Sequence, residues 1–265
     1  MRHLPKNWPP GIDLVQLDVV DSTMEEAARR APPARPIWIV ARHQTAGRGR
    51  GGKAWQHPQG NFAATWLSPV DRSPAEVSLT SFTAALAVYD ALGAYVAPER
   101  LSLKWPNDVL LDGHKVAGIL LESSGFGQGM RWLAVGVGIN LLEAPHPRAL
   151  PDGAIPPISL AEAGAGATPP LTPEVMLGLL AVTLEAYLKL WREAGFDTIR
   201  RLWLGRAARL GAKIRVALPH ETLSGRFQTV DADGCLVLQM AEGPRRISAG
   251  EVFLHQEGGT YAFVY

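Results

Sequence analysis

Apolar and polar positions alternate in two regimes along the chain, with a change near Gly205. Before it, short strand-like runs are interleaved with helically spaced stretches; after it, only short strands recur. Residues 14–20 read as a strand and 24–30 as a short helix. The apolar run Ile37-Trp38-Ile39-Val40 leads into a Gly-rich stretch, and residues 62–67 read as the next strand. Residues 79–96 form a longer helix with Ala, Leu and Val on its buried face. Leu101, Leu103 and Trp105 alternate as in a half-buried strand. Asp112-Gly113 is a strong hairpin turn, so residues 109–111 and 116–121 should pair antiparallel. Residues 134–140 form a strand whose two glycines let something approach the backbone closely. Pro-rich residues 145–157 and residues 164–170 are loops. Thr172 and Pro173 cap and open a helix running to about residue 194, with Leu177, Leu180, Leu184, Leu188 and Trp191 as its core stripe. Residues 213–218, 222–230, 235–239 and 251–254 are short strands, with Asp233-Gly234 as a turn.

Composition narrows the class. The chain has 265 residues, enough for one sizeable domain and a small one. Apolar residues make up 47% and charged ones 19%, so a buried core is expected and wholesale disorder is not. A net charge of +1 gives no electrostatic case for nucleic acid. A single cysteine, Cys235, excludes an internal disulfide framework. No apolar run approaches the ~18 residues of a membrane span, and no signal-type segment precedes the first strand, so the cytoplasm is expected.

The candidate chemistry begins at Thr45-Ala-Gly-Arg-Gly-Arg-Gly-Gly-Lys-Ala-Trp55. Glycines let backbone N–H groups reach an oxyanion, and Arg48, Arg50 and Lys53 add cationic donors. The dinucleotide fingerprint Gly47-x-Gly49-x-x-Gly52 lacks the helix that must follow it. A P-loop fails too, being one residue short, with Ala54 where Ser or Thr should stand. By itself the segment also fits a solvated basic turn. Leu103-Lys-Trp-Pro-Asn-Asp-Val109 is the second element, and Lys115, at the start of the returning hairpin strand, sits on a rigid element.

Together Asp21-Ser-Thr23, Gln44-Thr-Ala-Gly-Arg-Gly-Arg50, Trp55, Lys104-Trp-Pro-Asn-Asp108, Lys115-Val-Ala-Gly118 and Gly136-Val-Gly-Ile-Asn140 resemble the biotin protein ligases. The pieces stand in the family's order and spacing, from about Val15 to the C-terminus. The resemblance implies an α+β fold: a class II synthetase-like catalytic domain with a mixed or antiparallel sheet and flanking helices over residues 1–206, and an SH3-like β-barrel over 207–265. It implies that biotin is activated by ATP, with Mg²⁺, to biotinyl-5′-adenylate, and then passed to a lysine of a biotin carboxyl carrier domain. Ser22, Thr23, Gln44, Gly47, Arg48 and Gly118 are the implied biotin contacts, with Lys115 reaching the biotin carboxylate and the α-phosphate. Arg48, Arg50, Trp55, Asn107 and Asn140 are implied on the adenylate side, Arg50 retaining it. Asp108 is implied beside the incoming amine; near Lys104 its pKa should be lowered, which favours positioning over proton transfer.

Such chemistry needs positioning and cationic stabilisation, not a nucleophilic Ser, Cys or His. Ser22-x-x-Glu25 and Thr23-x-x-Glu26 also read as capping boxes. Met24 replaces the family's usual Asn, and a thioether cannot supply an amide's donors. A lipoate or octanoate ligase on the same fold is the nearest rival, but a fatty chain would leave Ser22, Thr23 and Gln44 unpaired. A non-catalytic binding module fits poorly because Arg48, Arg50, Asp108 and Lys115 are all present. Relatives that repress genes carry an N-terminal helix-turn-helix, whereas the few residues before the first strand here include Pro5, Pro9 and Pro10; no DNA binding is expected. A homodimer through an edge strand is compatible with the resemblance.

Overall fold

The computed structural model describes residue 5 and residues 7–124, 131–146, 155–166 and 168–254. Most of the predicted 145–157 loop, at 147–154, lies outside the described residues, as do Ala167 and residues 255–265.

Seven strands form one mixed sheet: β1 (Asp13–Val20), β2 (Ile37–Gln44), β3 (Phe62–Val70), β4 (Leu101–Lys104), β5 (Asp108–Leu111), β6 (His114–Ser124) and β7 (Arg131–Ile139). Their spatial order is β1-β2-β3-β7-β6-β5-β4. Only β1 and β2 run parallel, joined by the crossover helix α1 (Thr23–Arg30); the other neighbours are antiparallel. The chain is α+β, as expected.

Side-chain alternation gives the sheet two different faces. Trp38, Phe62, Trp66, Val135, Val137 and Ile139 belong to the main core, which α3 (Thr80–Leu92) and α4 (Pro173–Leu204) complete. The predicted single helix at 79–96 is instead α2 (Pro74–Ser78), capped by a Ser73–Glu76 box, followed by α3. The helix expected to stop near residue 194 meets a break at Gly195 (φ 74°) and then resumes to Leu204. On the opposite face α1 packs Met24 and Ala27 onto Ile39, Leu67 and Ala134. Helix α1 covers only part of that face, and the rest is open.

The predicted hairpin forms, with Asp112 (φ 50°) and Gly113 (φ 80°) in the left-handed turn conformation. It carries a β-bulge: Val109 pairs with Ala117 but Leu110 pairs with Lys115, so Val116 is the extra residue. In a regular strand residues three apart face opposite ways; the extra residue brings Lys115 and Gly118 to the same face.

The second sheet has five antiparallel strands in the order β11-β10-β9-β8-β12: β8 (Lys213–Ala217), β9 (Thr222–Val230), β10 (Leu236–Met240), β11 (Gly243–Ile247) and β12 (Glu251–Phe253). It fits the expected SH3-like unit, with β11 additional to the predicted strands. It shares the main core, and Trp105 Nε1 donates to the Gly234 carbonyl at 3.0 Å. Among the described residues no helix is long and apolar enough to cross a membrane.

Candidate active site

The open part of the sheet face is the floor of a cavity of ≈ 590 Å³. Strand register places Lys104, Asp108, Gly118, Gly138 and Ala63 in one cross-strand row over five strands. One end of this row is charged and its middle is bare backbone. Trp55 lies on the bare part: a Cβ at Gly138 would fall 2.3 Å from its ring and one at Gly118 3.0 Å from it. In the next row a Cβ at Gly136 would meet Met24 Sδ at 2.7 Å, so the Met24 thioether fills the floor there.

At the charged end, Lys115 Nζ is 2.6 Å from Asp108 Oδ1 and Lys104 Nζ is 3.1 Å from Oδ2. Asp108 and Lys104 are buried, whereas Lys115 keeps 31% of its side chain exposed toward the cavity. Burial alone would raise the Asp108 carboxyl, but the two ammonium groups outweigh it and hold it at about 2. The triad carries a net positive charge. The Lys115 backbone is clamped by the end of the 145–157 segment: its N–H donates to Pro156 O at 2.9 Å and its carbonyl accepts from Ile158 N–H at 3.0 Å.

At the other end Ser22, Thr23 and Gln44 meet, brought together by the β1–α1 junction and the end of β2. Ser22 is the N-cap of α1, accepting from the Met24 N–H at 3.2 Å. No capping box closes there, since Glu25 pairs with Arg48 and Glu26 with Arg29 and Arg30. Thr65 donates to Thr23 Oγ1 at 2.8 Å, Thr23 Oγ1 donates to Gln44 Oε1 at 3.1 Å, and the Thr23 N–H donates to the same oxygen at 2.8 Å. Thr65 joins this chain without having been singled out by sequence; its position on β3, opposite Gly136, is fixed only by register.

The Gly-rich segment folds back on itself, with the Trp55 N–H donating to Gly47 O at 2.8 Å and the Gly49 N–H to Lys53 O at 2.7 Å. Gly47 packs against the Trp55 backbone and does not line the cavity. Arg48 is held by Glu25 at 3.1 Å and Glu122 at 2.9 Å. Arg50 donates to the Gly250 carbonyl, and Lys53 pairs with Glu251 at 2.9 Å, so both reach the five-stranded sheet. Gly250 and Glu251 line the cavity as well, which no motif had indicated. Asn107 spends its amide donor on Ile119 O at 2.5 Å. Asn140 donates to Ile158 O at 3.2 Å, while its buried Oδ1 has no partner. Every implied site residue except Gly47 therefore lines one cavity.

Residues 16–140 match the Biotin/lipoate A/B protein ligase family, and residues 210–255 match the Biotin protein ligase C terminal domain. A biotin–[acetyl-CoA-carboxylase] ligase of Paracoccus denitrificans is 45% identical over 88% of this chain and 97% of that protein. The bifunctional ligase/repressor BirA of Bacillus subtilis is 29% identical over 92% of this chain and 74% of its own length. The structure of the Aquifex aeolicus biotin protein ligase in complex with biotin and ATP superposes with a TM-score of 0.71 at 26% identity, covering 91% of this chain and 97% of that one. The family match over residues 16–140 and the 45% identical relative, on a chain with this sheet and cavity, place the protein among the biotin/lipoate-type ligases. The chain belongs to the biotin protein ligase family.

Proposed function

We propose that the chain is an ATP-dependent biotin protein ligase whose cavity forms biotinyl-5′-adenylate and passes the biotinyl group to a lysine of a biotin carboxyl carrier domain. The observation that carries this reading is the row from Lys104 and Asp108 across bare glycines toward Gln44, with Lys115 bulged onto the same face.

A biotin carboxylate oxygen attacks the α-phosphorus as the bond to the β-phosphate oxygen breaks and pyrophosphate leaves. Lys115 offsets the repulsion between the two anions. The polar biotin ring is read at Ser22, Thr23 and Gln44; with Gln44 Oε1 occupied by Thr23, the amide nitrogen is the end offered to ligand. Gly118 provides bare backbone, Trp55 packs toward the adenine, and the orphaned Asn140 Oδ1 is the acceptor an adenine amino group would satisfy. Asn107 supports the adenylate side by holding its turn on β6. Arg48 and Arg50 reach the anhydride by exchanging their present partners, and Gly47 acts through the Trp55 backbone. In the second step a neutral carrier amine attacks the acyl carbon, the acyl–oxygen bond breaks, AMP departs with the electron pair, and the amine's surplus proton passes to the departing phosphate or to water. A carboxylate held at about 2 is a poor base at neutral pH, so Asp108 is read as orienting Lys115 and the amine.

Mg²⁺ is read as entering with the triphosphate; among the described residues no His/Cys/Asp/Glu cluster would hold a metal by itself. The catalytic unit is assigned residues 1–206 and the SH3-like unit 207–265, the junction falling between the end of α4 and β8. A homodimer, if formed, would use β1, because residues 206–208 already pair with the outer edge of β4. Cytoplasmic location is part of the same reading. DNA binding is not, since a net charge of +1 gives no electrostatic case for nucleic acid; operator retardation at physiological salt would contradict this.

Incubating the protein with ATP, Mg²⁺, a biotin carboxyl carrier domain and labelled biotin or octanoate tests the reading. Biotin alone should label the carrier; octanoyl transfer, or no transfer of either, overturns it.

A further inference from the structure

His57 and Asn61 are buried polar residues that the chemistry above does not use. His57 Nδ1 accepts a hydrogen bond from the Gln44 N–H at 3.1 Å, and its Nε2 lies 2.9 Å from the Asn61 carbonyl oxygen. A carbonyl only accepts, so the ring proton sits on Nε2 and Nδ1 is a bare acceptor. Burial, first, and the neighbouring His43 hold this imidazole below its usual pKa, against the Asn61 carbonyl, which acts the other way. The neutral form is the one that can receive the Gln44 N–H.

The Asn61 side chain completes a buried support. Its Oδ1 accepts from the N–H groups of Leu141 at 3.0 Å, Leu142 at 2.9 Å and Glu143 at 3.3 Å, and its Nδ2 donates to Glu143 O at 2.7 Å. That turn follows Asn140 directly. The two ends of the cavity, Gln44 and Asn140, thus rest on one connected hydrogen-bonded unit.

We propose that His57, as a neutral Nε2–H imidazole, is a positioning residue for biotin, fixing the end of β2 so that the Gln44 amide meets the ring. The inference rests on the assignment of Gln44 to biotin. Two substitutions separate the two nitrogens of the ring. His57→Asn puts an amide oxygen where Nδ1 stood and keeps the acceptor for Gln44. His57→Gln extends its amide to the Nε2 position, keeping the Asn61 contact and losing that acceptor.

Biotin KM and ATP KM are measured in biotin-dependent pyrophosphate exchange for wild type, both His57 variants and Gln44→Ala. His57→Gln should raise the biotin KM about tenfold, the loss of one well-placed hydrogen bond, with ATP KM within about twofold. His57→Asn should stay within about threefold of wild type for both. Equal effects of the two variants, or an ATP KM that rises in step with that for biotin, overturn the positioning role. An unchanged biotin KM in Gln44→Ala instead overturns the assignment of Gln44 itself.

Discussion

Lys115 and Asp108 form the closest ion pair at the cavity among the described residues, at 2.6 Å, and neither is where a regular hairpin would put it relative to the other. The extra residue Val116 turns Lys115 onto the face that carries Asp108 and Gly118. The lysine is therefore held by strand geometry as well as by charge. Replacing Lys115 with Ala should lower pyrophosphate exchange by about 100-fold, the usual cost of one preorganised charge-stabilising group. Circular dichroism should remain native, because Lys104 still pairs with Asp108. Unchanged exchange rates would count against the assigned role.

Asp108 contributes stability through its lowered pKa. Its folded value of about 2 lies below the usual 3.8, so the contribution is present above pH 4 and is lost as pH falls toward 2. In catalysis it should not behave as a base. Asp108→Asn is expected to slow adenylate formation and carrier transfer together, by disordering Lys115. Loss of transfer alone, with the bell-shaped pH profile of a general base, would reassign it.

The bare glycine row predicts a steric effect specific to ligand. A Cβ at Gly138 would sit 2.3 Å from the Trp55 ring, so Gly138→Ala must displace the indole into ligand space. Biotin and ATP KM values should rise about tenfold, within the range of overpacking penalties. Trp55→Ala should recover part of the binding lost to Gly138→Ala. Wild-type KM values in Gly138→Ala would show that the cavity floor lies elsewhere.

Much of this geometry was legible from sequence where a residue type carries its own constraint. Asp112-Gly113 announced a hairpin because that turn needs two residues at positive φ. Both phosphate-loop fingerprints require a helix after the glycines, and the chain instead enters β3 there. Strand β11 was missed because Gly-Pro-Arg-Arg has no apolar alternation; only pairing with β10 makes it a strand. The last part of α4, after residue 195, is not legible because Gly195 reads as a stop. Arg48 and Arg50 were read as phosphate donors, but their resting partners, Glu25, Glu122 and the Gly250 carbonyl, are distant in sequence and follow from the fold. His57 and Asn61 are single polar residues in a loop, meaningful only beside Gln44 and the 141–143 turn.

Contacts from the Gly-rich segment to Gly250 and Glu251 predict graded leakage of the intermediate. Arg50→Gly removes the tether to Gly250 together with the guanidinium proposed to hold the adenylate, and should label nonspecific lysines through escaped adenylate. Glu251→Ala removes only the exposed Lys53 pair, typically worth under ~1 kcal/mol, so leakage should rise by at most about fivefold. Labelling confined to the carrier by the Arg50 variant would refute the retention role.

Acid should destabilise the protein partly through His57. Its folded pKa lies below the usual 6.5, so no penalty exists above that value, and stability falls as pH drops through it because the unfolded chain takes up the proton more readily. Melting temperatures between pH 7.5 and 5.5 should fall less steeply in His57→Asn than in wild type. Parallel curves would mean that His57 titrates normally.

The most direct measurement is a crystal structure with a non-hydrolysable analogue of biotinyl-5′-adenylate. The ureido ring should lie at Gln44, the phosphate within hydrogen-bonding distance of Lys115 Nζ, and the adenine amino group on Asn140 Oδ1. An analogue bound away from the Asp108–Gly118–Gly138 row, or with Lys115 still turned only to Asp108, would contradict this placement.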